Sequence, residues 1–187
     1  NDVIADPLGH VFCGTMPAGE KLAKLFYLTK DGSTTPLVHD IGLSNGLGFT
    51  PDQKGLYYTD SPRKVIYYFD YDATTGKIAN QRVFVKSEEL PGVPDGMTVD
   101  AEGYVWSARW DGGCIHRYAP DGTLERTVPL PAKKITSLAF GGDSLTEIFI
   151  TSAACGDPAV DGEDSGGIFW LDLGIKGKPE FRSKIPV

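Results

Sequence analysis

Asn1, Asn45, Asp95 and Thr136 share one setting, an oxygen-bearing side chain placed at the mouth of a short apolar run. The runs that follow are Asp2-Val3-Ile4-Ala5, Gly46-Leu47-Gly48-Phe49, Gly96-Met97-Thr98-Val99 and Ser137-Leu138-Ala139-Phe140. Carboxylate and amide oxygens ligate hard divalent cations, so such a column would hold calcium, magnesium or manganese if its members met. No histidine joins the column, which argues against a zinc site of the usual nitrogen and sulfur type. Glycine after Asn45 and after Asp95 lets backbone or ligand approach closely. Taken singly, each residue is equally well read as a strand cap satisfying turn amides. Three in register favour one shared purpose.

Other chemistry is poorly supported. No Gly-x-Ser-x-Gly elbow is present, which leaves a serine hydrolase of the α/β type without a nucleophile. His10, His39 and His116 fall in strand or turn contexts and read as ordinary core or surface residues. Glu88-Glu89 reads as a solvated loop, and Arg109-Trp110 as exposed decoration on a loop after the strand Tyr104 to Ala108. Tyr57, Tyr58, Tyr67, Tyr68, Trp106 and Trp170 are expected to pack between sheets rather than to form a sugar platform. The three cysteines, Cys13, Cys114 and Cys155, are too few and too widely spaced for a disulfide framework. Cys13 and Cys114 sit among strand-like apolar residues and read as small buried hydrophobes.

The elements that must position the column repeat. Asp6, Asp52, Asp100 and Asp143 each open a turn that leads into a strand, and they lie 46, 48 and 43 residues apart. A further strand follows in each unit, at 25–28, 66–69, 115–118 and 168–171, and outer strands are expected at 36–38, 82–85 and 125–128. Helical periodicity is nearly absent. Repeats of four short strands at this period describe the blades of a β-propeller, and an open all-β sandwich does not repeat its sequence in this way. In a propeller the first strand of every blade lines the central channel, so equivalent positions on neighbouring blades converge. The expected fold is therefore all-β, a propeller of six-bladed type with about four blades in residues 1–187, starting near 1, 45, 95 and 136. About two N-terminal blades are expected to lie outside the chain, on a preceding segment, or a second copy to cover the open side.

Composition narrows the partners. The net charge of −7 and the lack of a basic stripe exclude a usual nucleic-acid surface. No apolar run approaches the roughly 18 residues of a membrane helix. No signal peptide is visible in a sequence that opens at Asn1 rather than at methionine, and a cytoplasmic location is the expectation.

The sequence resembles the SMP-30/gluconolactonase/LRE (regucalcin-like) family over nearly its whole length. The likeness rests on Asn1-Asp2 with Ala5-Asp6-Pro7-Leu8-Gly9, Gly14-Thr15-Met16, Ser44-Asn45-Gly46-Leu47 and Tyr57-Tyr58-Thr59-Asp60-Ser61. It continues through Val93-Pro94-Asp95-Gly96-Met97-Thr98-Val99-Asp100, Gly103-Tyr104-Val105-Trp106 and Thr136-Ser137-Leu138-Ala139-Phe140-Gly141-Gly142. The resemblance implies a six-bladed propeller with one divalent metal (calcium, magnesium, manganese or zinc) that hydrolyses a sugar lactone such as gluconolactone. It places metal ligands on Asn45 and Asp95, with Asp95 also taking the proton of the attacking water. It places substrate contacts on Asn1 and, after the Gly-Thr-Met motif, on Glu20. A third ligand, a glutamate in the family, would lie upstream of Asn1. The alternative is a non-catalytic propeller module, or an inactive fragment, with a structural metal.

Overall fold

In a computed structural model, which describes residues 1–186, the chain divides into two compact units. Residues 1–86 with the tail from Pro179 form the first, and Ser87–Lys178 the second.

The first unit holds two four-stranded antiparallel sheets, each a simple meander. One runs β1 (Val3–Ala5), β2 (Val11–Gly14), β3 (Ala23–Leu28) and β4 (Thr34–Ile41). The other runs β5 (Ser44–Phe49), β6 (Gly55–Asp60), β7 (Val65–Asp72) and β8 (Lys77–Lys86). In the second unit a four-stranded meander comprises β9 (Val93–Val99), β10 (Val105–Trp110), β11 (Cys114–Tyr118) and β12 (Leu124–Pro129). The last sheet has three strands, β13 (Ile135–Gly141), β14 (Glu147–Ser152) and β15 (Ile168–Asp172). A single helical turn, α1 (Pro158–Asp161), interrupts the β14–β15 connection. Its signal is local, since Asp157 caps the Ala159 amide and Pro158 follows at the first helical position.

Burial is uneven across the strands. Every residue of β5, β6 and β11 is buried, whereas β12 is exposed at all but one position. Strands covered on both faces lose the apolar–polar alternation of a half-exposed sheet, which is why Leu56-Tyr57-Tyr58-Thr59 reads as a continuous run. Phe12, Phe49 and Tyr71 interlock in the first unit, with ring centroids 4.7 to 6.1 Å apart. Trp106, Ile115, Ile135, Leu138, Ile148 and Ile150 form the core of the second. Each such side chain contributes about 1.5–3 kcal/mol by leaving water.

The repeated aspartates take two roles. Asp6 is 1% exposed and accepts from the Tyr27 and Tyr71 hydroxyls at 2.6 and 3.1 Å and from the His10 amide at 2.8 Å. Because the Tyr27 proton goes to Asp6, His10 Nδ1, 2.6 Å from the same hydroxyl oxygen, is the donor to it. Asp100, fully buried, accepts from the Glu102 and Tyr104 amides, from Trp106 Nε1, and from Arg117 Nε and Nη2 at 3.0 and 2.7 Å. Gly9 and Gly103 close these two turns at φ +84° and +87°, where a side chain would be strained. Asp52 and Asp143 are exposed, and Asp52 ties only its own turn.

Three expectations are corrected. Arg109 belongs to β10 and is fully buried, not loop decoration, because β10 runs on to pair Arg109 with Pro94 and Trp110 with Val93. Trp170 is 56% exposed and donates to Glu147 at 2.7 Å, so it does not pack between sheets. Cys114 is buried as expected, but Cys13 is half-buried.

Candidate functional site

In the first unit Asn1 and Asn45 come together. Asn1 Nδ2 donates to the Ser44 carbonyl and to Asn45 Oδ1, and Asn45 Nδ2 donates to Ser61 Oγ at 2.8 Å. The β1–β2 ladder extends to this end, with the Asn1 backbone nitrogen on Gly14 O at 2.6 Å and Gly14 N on Asp2 O at 2.9 Å. A Cβ on Gly14 would lie 1.8 Å from Ser44 Oγ, so only glycine admits this approach of the two sheets. Burial pushes the Asp2 carboxyl above the usual carboxylate range.

What lifts Asn45 out of its strand is a β-bulge. Ser44 pairs with Asp60 and Leu47 with Tyr58, so Asn45 and Gly46 together oppose Thr59. The same device recurs in the second unit. Pro94 pairs with Arg109 and Met97 with Ser107, leaving Asp95 and Gly96 opposite Ala108. In β13 the extra residue is Thr136, between the pairs Ile135–Ser152 and Ser137–Thr151. Bulges re-aim a side chain and interrupt pairing, and they concentrate beside functional sites. All three column residues that lie within strands sit in one.

Asp95 is partly exposed, and a Cβ on the following Gly96 would meet Ser137 Oγ at 2.4 Å and Thr136 O at 2.8 Å. The heads of β9 and β13 therefore touch, as do those of β1 and β5 in their own unit. Thr136 Oγ1 lies 2.7 Å from Thr151 Oγ1. Arg109 braces the approach to Asp95, bonding Pro91 O through Nε and Nη2 at 3.2 and 3.0 Å, Gly92 O at 3.1 Å and Ser87 Oγ at 3.0 Å. Burial lowers the guanidinium's affinity for its proton. Glu20 stands exposed on the turn closed by the Ala18–Lys21 bridge.

The donor chemistry suits a hard cation in part. Asn45 offers an amide oxygen whose nitrogen is already anchored, and Asp95 offers a carboxylate from the equivalent bulge. Thr59 Oγ1, facing the bulge, is buried without a hydrogen-bond partner. Among the described residues no three His, Cys, Asp or Glu side chains cluster as a metal site. Sequence reading missed Ser61, whose only signal is its place two residues after Thr59 in Thr59-Asp60-Ser61.

Successive antiparallel meander sheets, three of them opening on a bulged, polar-headed strand, are blades, and the fold is a β-propeller with four blades in this chain. The model of the SMP-30/Gluconolactonase/LRE-like region matches residues 1–154, and the chain belongs to that family. A pentonolactonase from Haloferax volcanii is 45% identical over 193 residues, which cover 99% of this chain and 66% of the relative. Regucalcin from Gallus gallus is 39% identical over 196 residues, covering 97% and 64%. The crystal structure of a calcium-binding protein, regucalcin, from Agrobacterium tumefaciens superposes with a TM-score of 0.92 at 31% identity, over 99% of this chain and 64% of that one. The chain thus spans 64–66% of the length of these relatives.

Proposed function

We propose that the protein belongs to a lactone hydrolase that opens an aldonolactone, such as a pentono- or gluconolactone, at one divalent cation. The observation that carries this reading is the pair of equivalent bulges presenting Asn45 and Asp95, in a chain whose relatives include a pentonolactonase. Asn45 and Asp95 are the proposed cation ligands, and Asn1 and Glu20 the proposed substrate contacts. We also take the four blades as part of a six-bladed ring, a reading supported by the greater length of the relatives.

When bound, the cation supplies a Lewis acid that polarises the lactone carbonyl. The chain's own residues do the rest. Asp95 accepts a proton from the attacking water as the water oxygen bonds to the carbonyl carbon. That proton passes to the ring oxygen as the carbon–oxygen bond breaks, leaving a hydroxyl and a carboxylic acid. Asn1, whose two amide protons go to Ser44 O and Asn45 Oδ1, presents its Oδ1 to accept from a substrate hydroxyl. Asn45 keeps its oxygen forward because its nitrogen is held by Ser61.

The test is lactone opening followed with a pH indicator, with calcium, magnesium, manganese and zinc supplied in turn. Turnover on D-gluconolactone or a pentonolactone, lost in Asp95→Ala, supports the reading. Cation binding without turnover, in this chain and in a version extended to the length of its relatives, refutes it. That result would favour a second reading, a binding module with a structural cation.

A further inference from the structure

We propose that Ser61 is a positioning residue that holds the Asn45 amide by its nitrogen and so fixes which atom is offered toward Asn1. The inference rests on the proposed cation role of Asn45, but its geometric part stands without it. One atom in the chain of contacts has a role fixed by its chemistry. The Ser44 carbonyl can only accept, so the Asn1 side-chain atom against it is the nitrogen. The same Asn1 nitrogen faces the Asn45 side chain, so the Asn45 atom there must accept and is the oxygen. The Asn45 nitrogen is then turned to Ser61 Oγ at 2.8 Å, and the hydroxyl oxygen accepts.

Asn45 is 7% exposed and Ser61 4%, so no bulk water stands ready to replace that bond. Ser61 is itself fixed by the backbone. Its amide donates to Leu43 O at 3.2 Å and its carbonyl accepts from Lys64 N at 2.9 Å. Lys64 sits at φ +53°, closing the turn in which Ser61 lies. The serine thus reaches the bulge from the end of β6, the strand opposite Asn45, and holds the amide from behind. A cation that took the place of the Asn1 amide hydrogens at Asn45 Oδ1 would leave the Asn45 side chain held by Ser61. Groups that orient a ligand in this way typically set metal affinity by about 10–100-fold.

The experiment uses the 187-residue chain with Ser61→Ala, Ser61→Thr and Asn45→Ala, each checked for an unchanged far-UV spectrum. Two readouts are taken. The first is hydrogen exchange of the Asn45 side-chain amide, followed by NMR without any metal. The second is manganese affinity from paramagnetic broadening. In Ser61→Ala the Asn45 amide protons should exchange at least about tenfold faster and manganese should bind about tenfold more weakly. Ser61→Thr should return both to near the parent values. Unchanged amide exchange in Ser61→Ala overturns the positioning role. So does a manganese affinity that Asn45→Ala destroys but Ser61→Ala leaves intact. Manganese binding that survives Asn45→Ala sinks the cation reading instead, and the amide exchange then decides the positioning role alone.

Discussion

Asp100→Asn should be among the most damaging conservative substitutions in the second unit. The carboxylate is fully buried and accepts from two backbone amides, the Trp106 indole and two nitrogens of Arg117. An amide in its place turns an N–H toward groups that can only donate, and it removes the charge facing a guanidinium whose side chain is 6% exposed. Breaking one side of a buried pair costs about 3–5 kcal/mol. Arg117 keeps Glu102 at 2.7 Å and Glu125 at 3.4 Å, which places the expected loss near the lower end. For a chain of this size, about 3 kcal/mol lowers the melting temperature by roughly 6–12 °C. Urea and thermal unfolding measure it, with Asp52→Asn as control. That exposed counterpart should change stability by less than about 0.5 kcal/mol. A double mutant with Arg117→Met should lose about 2 kcal/mol less than the sum of the two single changes, because the same contact is removed twice. A loss below about 1 kcal/mol for Asp100→Asn, or strict additivity, would refute the assignment of this network as the main tie of its turn.

His116 predicts a pH dependence. Burial first, and the Arg109 charge second, depress its ring from 6.5 to about 4, and it contacts Cys114 Sγ at 3.4 Å and the Tyr118 hydroxyl at 2.9 Å. The unfolded chain takes the proton first as pH falls, so the stabilisation is complete above pH 6.5 and is lost on acidification from there to pH 4. The loss should be about 2–3 kcal/mol, and His116→Gln should flatten that limb of a stability–pH curve; an unchanged limb would show that other groups carry it. Gly96→Ala should destabilise by about 1–3 kcal/mol, because its Cβ has no room against the head of β13. Thermal unfolding within about 0.3 kcal/mol of the parent would mean that the two strand heads can part without cost.

Much of the fold was legible because its signals are local and repeat. The period of the aspartates, the short apolar runs and the turn signals between them are all present in the linear sequence. What escaped depends on partners distant in sequence. Arg109 looks like the end of a strand giving way to a loop. Its burial follows from pairing with Pro94 and from the carbonyls of Pro91 and Gly92, which no local pattern reveals. Trp170 shows the converse. Its type and strand context suggest packing, yet whether a neighbouring element covers β15 is not a property of β15. Ser61 reads as one more turn residue until Asn45, 16 positions earlier, is found against it.

The column of polar residues was legible for a reason that also explains how it can function. In a regular strand a polar residue at the head would either face the packed side or shift every following residue to the wrong face. A bulge removes that conflict, since two residues oppose one and the hydrophobic register resumes unchanged after it. Leu47, Met97 and Leu138 are accordingly buried although Asn45, Asp95 and Thr136 precede them by two residues. The price is a strand head with unpaired backbone and a glycine at two of the three bulges, which lowers stability where no chemistry is needed. Three blades bear that cost at the same position, and in one of them the Asp100 network anchors the opposite end of the bulged strand. The Asp95 blade is therefore tied firmly at its turn and irregular at its polar end, the arrangement expected of a scaffold that presents polar groups on otherwise buried strands.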